Sequence, residues 1–186
     1  LEASRTAEFT ATEGTWLSLD VSPDGQTIVF DLLGELYTMP ITGGTASPLL
    51  TGMAFDVQPR FSPDGESVAF ISDKSGGDNL WTMRLDRTDT TQVTRGNNSL
   101  YVSPEWTPDG QYIVVSRSAG LGGAARLQMY HAERRSPLAI SGIPETRKSL
   151  GAAFSPDGRY LVWGSNRDQA EEGETNIFIA EWVESP

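Results

Sequence analysis

The chain has 186 residues, with 14 Lys and Arg against 25 Asp and Glu, a formal net charge of −11. That balance argues against binding DNA, RNA or an anionic membrane by bulk electrostatics, so no nucleic-acid partner is expected. Cysteine is absent, which excludes a disulfide scaffold, a thiolate zinc site and a cysteine nucleophile.

The apolar runs, such as residues 112–115, are far too short for a bilayer, so no membrane insertion is expected. The opening Leu1-Glu2-Ala3-Ser4-Arg5 is not a signal peptide. The expectation is a chain that is cytosolic, already processed, or cut from something larger.

In chain order, a strand-like run over residues 6–11 comes first and stands alone. Four repeats follow, each centred on one tetrapeptide: Ser22-Pro23-Asp24-Gly25, Ser62-Pro63-Asp64-Gly65, Thr107-Pro108-Asp109-Gly110 and Ser155-Pro156-Asp157-Gly158. The aspartates are spaced 40, 45 and 48 residues apart, and Val21, Phe61, Trp106 or Phe154 stands before each copy. A β-rich run follows each turn, at residues 27–30, 67–70, 112–115 and 160–163, and another further on, at 36–39, 80–83, 127–130 and 177–180. Shorter fourth runs fall at 46–51, 91–95 and 136–141.

The tetrapeptide has a mechanical reading. Proline pre-sets φ, aspartate tolerates the next turn position, and glycine supplies the positive φ that reverses the chain. The Ser or Thr hydroxyl can bond backbone groups inside the turn. Asp24, Gly25, Asp64, Gly65, Asp109, Gly110, Asp157 and Gly158 are therefore read as hairpin-turn residues rather than as ligands or acids.

Tandem four-stranded units of this length predict an all-β fold, a β-propeller with four blades per chain. No run has a convincing helical period. The expected blades cover approximately residues 13–51, 52–95, 96–141 and 142–183 of a single domain. The last repeat runs out after its third strand, so the leading strand, residues 5–12, is expected to complete a last blade and remove an exposed edge.

The Phe-Ser-Pro-Asp-Gly blocks, together with residues 71–81 (ISDKSGGDNLW), resemble the TolB-type (PD40, WD40-like) propeller repeat. The stretch from Glu8 to about Tyr130 is most similar to propellers that precede amidohydrolase domains in secreted bacterial enzymes. The final repeat, from Gly164 to Trp182, looks more like the closing blade of TolB-like proteins. The resemblance implies a periplasmic or secreted protein. It also implies six to eight blades, so four is a departure. Two closures fit: a self-closed four-bladed ring, and a head-to-tail ring of two chains with eight blades.

In such a fold the loops between second and third strands share one face with the loops entering each first strand. That face is expected to carry Asp56, Asp73, Asp78, Tyr101, Arg117, Arg167 and Asp168. It is polar and mostly acidic, suited to a protein, peptide or carbohydrate partner, above all a basic or sugar-like one. The lone histidine, His131, is expected to be an exposed strand-end residue. One His and no Cys argue against a transition-metal site, and a carboxylate-only Ca²⁺ site between Asp168 and Glu174 lacks a recognised ligand spacing, so no metal or other cofactor is expected. No Gly-x-Ser-x-Gly elbow is present. The five tryptophans read as blade packing. The expectation is a non-catalytic interaction scaffold; the alternative is the substrate-gating propeller of a larger amidohydrolase or peptidase.

Overall fold

A computed structural model describes residues 9–120, 125–133, 137–138, 140, 149–165 and 175–183. The described residues form four antiparallel sheets and no helix. Sheet one holds β1 (Leu19–Val21), β2 (Thr27–Leu32), β3 (Glu35–Pro40) and β4 (Ser47–Leu50). Sheet two holds β5 (Asp56–Phe61), β6 (Ser67–Ser72), β7 (Asn79–Arg84) and β8 (Thr90–Gln92). Sheet three holds β9 (Leu100–Trp106), β10 (Tyr112–Ser118), β11 (Arg126–His131) and β12 (Pro137–Leu138). Sheet four holds β13 (Ser149–Phe154), β14 (Tyr160–Ser165) and β15 (Asn176–Glu181). Strand order is sequential in every sheet, as the tandem repeat requires. The expected all-β propeller architecture is what the chain adopts.

Period-two alternation splits each sheet into two apolar faces, and consecutive sheets pack face to face. Val29, Leu36 and Leu49 of sheet one meet Phe61, Val68, Phe70 and Met83 of sheet two. The opposite face of sheet two, with Ala69, Ile71 and Leu80, packs on Tyr101, Trp106, Ile113, Val115 and Tyr130 of sheet three. Val114 and Leu127 of sheet three then meet Ala152, Leu161 and Trp163 of sheet four.

The four tetrapeptides form one structure. In the first, Gly25 N–H donates to Ser22 O at 2.8 Å and Ser22 N–H to Thr27 O at 2.8 Å. The Ser22 hydroxyl donates to Asp24 Oδ1 and accepts from Thr27 N–H, while Gln26 N–H donates to the same carboxylate oxygen. The other three copies repeat this wiring, with the Thr107 hydroxyl in place of Ser. The glycines all sit at φ of 71° or 72°, the left-handed region that favours a residue without Cβ.

A second repeated device was not visible in the sequence. The inner strands β5, β9 and β13 each carry a bulge, with Gln58, Ser103 and Gly151 at φ 57°, 53° and 65°. Each bulge N–H is taken by a side chain of the preceding sheet: Gln58 N by Asp31, Ser103 N by Gln58, and Gly151 N by Ser116. A polar ladder therefore runs from sheet to sheet along the inner strands. A two-versus-one bulge turns the backbone donor outward from its own sheet, where it needs such a partner.

Three details depart from expectation. His131 is buried at the end of β11, edge-on to Tyr112 at 5.0 Å, with its Nδ1 accepting from Glu133 N–H; the Tyr112 ring closes over the strand end that the charge pattern left open. Trp16 precedes β1 rather than lying in a strand, and is 98% exposed. Residues 9–12 form no strand, and sheet four has three strands among the described residues. The rest of the expected closing segment, residues 5–8, lies outside the described residues.

Candidate functional site

The loop side is built around Asn79, at the start of β7 and fully buried. Its Nδ2 donates to Gly77 O and Gly96 O, both at 2.8 Å, and to Ser75 Oγ at 3.1 Å. Its Oδ1 accepts from the Thr94 hydroxyl. One amide thus ties the loop leaving sheet two to the loop inside it. The two loops meet so closely that a Cβ on Gly77 would lie 2.8 Å from the Asn97 Cα.

Of the expected loop-face residues, Asp73 and Arg117 are exposed and Asp78 is half-buried. Asp73 Oδ1 accepts from Phe55 N–H at 2.8 Å and so fixes the entry to sheet two. Arg117 lies over the Tyr101 ring at 6.0 Å and donates to Ser99 Oγ and Gln128 Oε1. Tyr101 and Asp56 are not surface groups: they are 4% and 3% exposed. Tyr101 is pulled inward by an edge contact with Tyr130, whose hydroxyl donates to Gln128. Burial, then the Tyr101 hydroxyl, raise the Tyr130 phenol pKa.

Asp56 lies beneath the rim, with Oδ1 buried and without a hydrogen-bond partner among the described residues. Burial raises its pKa, opposed by the Ser72 hydroxyl and Lys74. Arg167 and Asp168 lie outside the described residues. The structure therefore brings together Tyr101 with Arg117, and Asp56 with Asp73, as two separate groups.

Two concavities open on the turn side. One, of about 280 Å³, is lined from all four sheets, including Asp20, Arg60, Glu105 and Phe154. These are inner-strand groups: Asp20 accepts from Phe61 N–H, Glu105 from Phe154 N–H, and Arg60 donates to Leu19 O. Burial raises the Glu105 pKa, against the Phe154 N–H and the Arg60 charge 3.8 Å away. Each of these three charged groups already joins one sheet to the next.

The second concavity is larger, about 1000 Å³, between sheets two and three. Asp64, Asp89, Asp109 and Glu133 line it with Arg84 and His131. Arg84 is engaged elsewhere, 3.0 Å from Glu66 and 3.7 Å from Asp86. The cleft therefore presents more negative than positive charge. Sequence reasoning passed over Arg84, Asp89 and Glu133. The groove arises from the angle between two sheets, and no local motif marks it. Among the described residues, no group of three or more His, Cys, Asp or Glu is arranged to hold a metal ion.

Residues 1–175 match the family model described as the TolB beta propeller domain (PD40). The chain belongs to that family. An uncharacterized peptidase, YuxL, of Bacillus subtilis is 26% identical over 70% of this chain but only 25% of its own length. The Tol-Pal system protein TolB of Wolinella succinogenes is 29% identical over 62% of this chain and 28% of its own. The solved structure of a putative TolB from Agrobacterium tumefaciens superposes with a TM-score of 0.69 at 20% identity, covering 88% of this chain and 57% of that one. This PD40 chain thus spans about a quarter of the curated relatives' length, and its kinship reaches both TolB and a peptidase.

Proposed function

We propose that this PD40 propeller is a non-catalytic interaction module, periplasmic or secreted, that offers acidic surface to a cationic segment of a partner protein. The observation that carries this reading is the cleft between sheets two and three. Its carboxylates outnumber its one guanidinium, and that guanidinium is already paired with Glu66 and Asp86. A groove with low-dielectric walls and one sign of charge focuses its field on an incoming cation. The exposed loop face, with Asp73 and the half-buried Asp78, adds to the same potential.

The test is titration calorimetry with Lys/Arg-rich peptides, their Glu-substituted counterparts, and neutral oligosaccharides. The cationic peptides should bind selectively, and binding should weaken as salt rises. Asp89→Asn with Glu133→Gln should weaken it several-fold more than Asp73→Asn with Asp78→Asn. Equal binding of anionic and cationic peptides would sink the proposal.

A second reading is favoured by the YuxL match: an accessory propeller beside a peptidase domain, gating its substrate. A coding sequence that continues past Pro186 into a hydrolase domain would support it. Deleting the propeller from that longer chain should then relax substrate size selection.

A further inference from the structure

The four-stranded sheets end outward in β4, β8 and β12, and these three edges are not alike. An outermost strand turns the N–H and C=O groups of alternate residues away from its sheet, free to pair with another chain. In sheet two the ladder identifies those residues. Arg84 N–H donates to Asp89 O and Val93 N–H to Leu80 O, both at 2.9 Å, so Asp89, Thr91 and Val93 are the residues bonded to β7. Thr90 and Gln92, opposite Met83 and Trp81, aim their backbone groups outward. Among the described residues no loop backbone group takes them.

The other two edges carry proline at these same two positions. Pro137 opposes Tyr130, the repeat equivalent of Met83: Tyr130 pairs with Ile113 as Met83 pairs with Val68. Pro48 opposes Tyr37, the equivalent of Trp81, since the two pair with Phe30 and Phe70. Proline at an outward position removes the N–H and blunts the edge. On β4 the Pro48 carbonyl is also taken, by the Arg87 guanidinium at 2.6 Å. β8 reads Thr90-Thr91-Gln92 and keeps both outward N–H groups.

This unblunted edge borders the acidic cleft. Asp89 and Thr91 line the cleft with Thr82 and Arg84, on the face of sheet two that turns to sheet three. Thr90 and Gln92 share the other face with Trp81 and Met83. A strand laid beside β8 would therefore send every second side chain towards the cleft and its carboxylates. Blades added at either end of the row would stack on sheets one and four and would not reach this edge. A second copy pairing through its own β8 would bring two acidic clefts together, which like-charge repulsion opposes.

We propose that the cationic segment of the partner binds as an extended strand added to β8, with Lys or Arg at alternate positions reaching into the cleft. This rests on the reading of the cleft as a cation-binding surface and adds the binding mode. Backbone pairing supplies affinity, and the alternate side chains supply the choice of partner.

The test is calorimetry on the parent chain and Thr90→Pro with peptides in which Lys and Thr alternate. A peptide of the same composition with its Lys gathered in one block should bind several-fold more weakly. N-methylation of one alternate set of peptide amides should abolish binding, and methylation of the other set should spare it. The sensitive set is the Thr residues for an antiparallel strand and the Lys residues for a parallel one. Thr90→Pro gives β8 the proline that β12 already has and breaks no ladder bond. It should weaken binding about ten-fold, the worth of one or two backbone hydrogen bonds, with an unchanged all-β circular dichroism spectrum. Equal sensitivity to the two methylated sets overturns the added strand, whatever Thr90→Pro does. Cationic peptides that bind alike in alternating and blocked form, and alike to both proteins, would overturn it while leaving the cleft reading in place. No binding of any cationic peptide removes both.

Discussion

The turn side and the loop side of this propeller are built on opposite principles. On the turn side, four copies of one tetrapeptide make four copies of one hydrogen-bonded structure, and the glycines agree in φ to within a degree. On the loop side, sheets two and three use different devices among the described residues. Sheet two uses a buried asparagine and a threonine, while sheet three uses an arginine stacked on a tyrosine. Repetition marks where the chain must reverse in the same way each time. Variation marks where neighbouring loops must find each other, and it is there that a binding surface can differ from blade to blade.

The largest effect is expected where the loop side depends on a single group. Asn79→Ala removes an amide that serves Gly77 O, Gly96 O, Ser75 and Thr94, all at a fully buried position. Stranding buried acceptors costs about 1–3 kcal/mol each before relaxation, so a loss of about 3 kcal/mol is expected in urea unfolding. Asn79→Asp should be nearly as damaging, because it keeps the shape but loses the donors. If the loss were only a few tenths of a kcal/mol, the loop side would have redundant support and the contrast between the faces would fall.

On the turn side the four glycines look alike in sequence but not in surroundings. A Cβ on Gly158 would lie 2.9 Å from the Pro108 Cβ of the preceding sheet, whereas a Cβ on Gly25 meets nothing within 4 Å. Both pay the left-handed penalty of about 1–2 kcal/mol for a residue with a Cβ. Only Gly158→Ala adds a clash against a stiff ring. Its cost should be about 2–3 kcal/mol against about 1 kcal/mol for Gly25→Ala. Equal melting temperatures for the two variants would show that the turns do not stack from sheet to sheet.

This difference also shows what the sequence could reveal. The strands, their order and the turns were legible because period-two alternation and the Ser-Pro-Asp-Gly signal are local. Asp56 and Tyr101 stand near the loop ends of β5 and β9 but are buried, not surface groups. Their burial is set by residues distant in the sequence: Tyr101 packs edge-on to Tyr130 of β11 and against Ile71 and Leu80 of sheet two, and Asp56 lies under the rim that Asp73 and Phe55 close. The cleft was invisible for the same reason, since its walls come from residues far apart in the chain. The bulges left no local mark either: Gln58 and Ser103 hold positive φ without being glycine, and their cross-sheet hydrogen bonds supply the compensation.

Asp56 supplies the next contrast, in pH rather than in geometry. Burial raises its pKa above the ordinary aspartate range, so the native state holds this proton more tightly than the unfolded chain. Its contribution therefore falls as pH rises from the unfolded value through the raised folded one, and stays low above it. Asp56→Asn removes the buried charge and should raise stability at neutral pH by about 1 kcal/mol. Below pH 4 the variant should offer no such advantage. Destabilisation at neutral pH would mean that the ionised carboxylate is held by Lys74 more strongly than burial opposes it.

The turn aspartates should behave in the opposite sense, and by less. The Ser62 hydroxyl, then the Glu66 N–H, hold the Asp64 carboxyl below its ordinary pKa. The stability it contributes is present above the unfolded value and is lost as pH falls through the depressed folded one. Because Asp64 is exposed, solvent screening keeps the effect small, on the order of 0.5 kcal/mol for Asp64→Asn at neutral pH. The sign of the pH dependence is the sharper observable. Between pH 5 and the acid limit, Asp64→Asn should lose less stability than the parent chain, whereas Asp56→Asn should lose more. Parallel acid-unfolding curves for the two variants would erase the distinction between a carboxylate held by its own turn and one stranded beneath a loop rim.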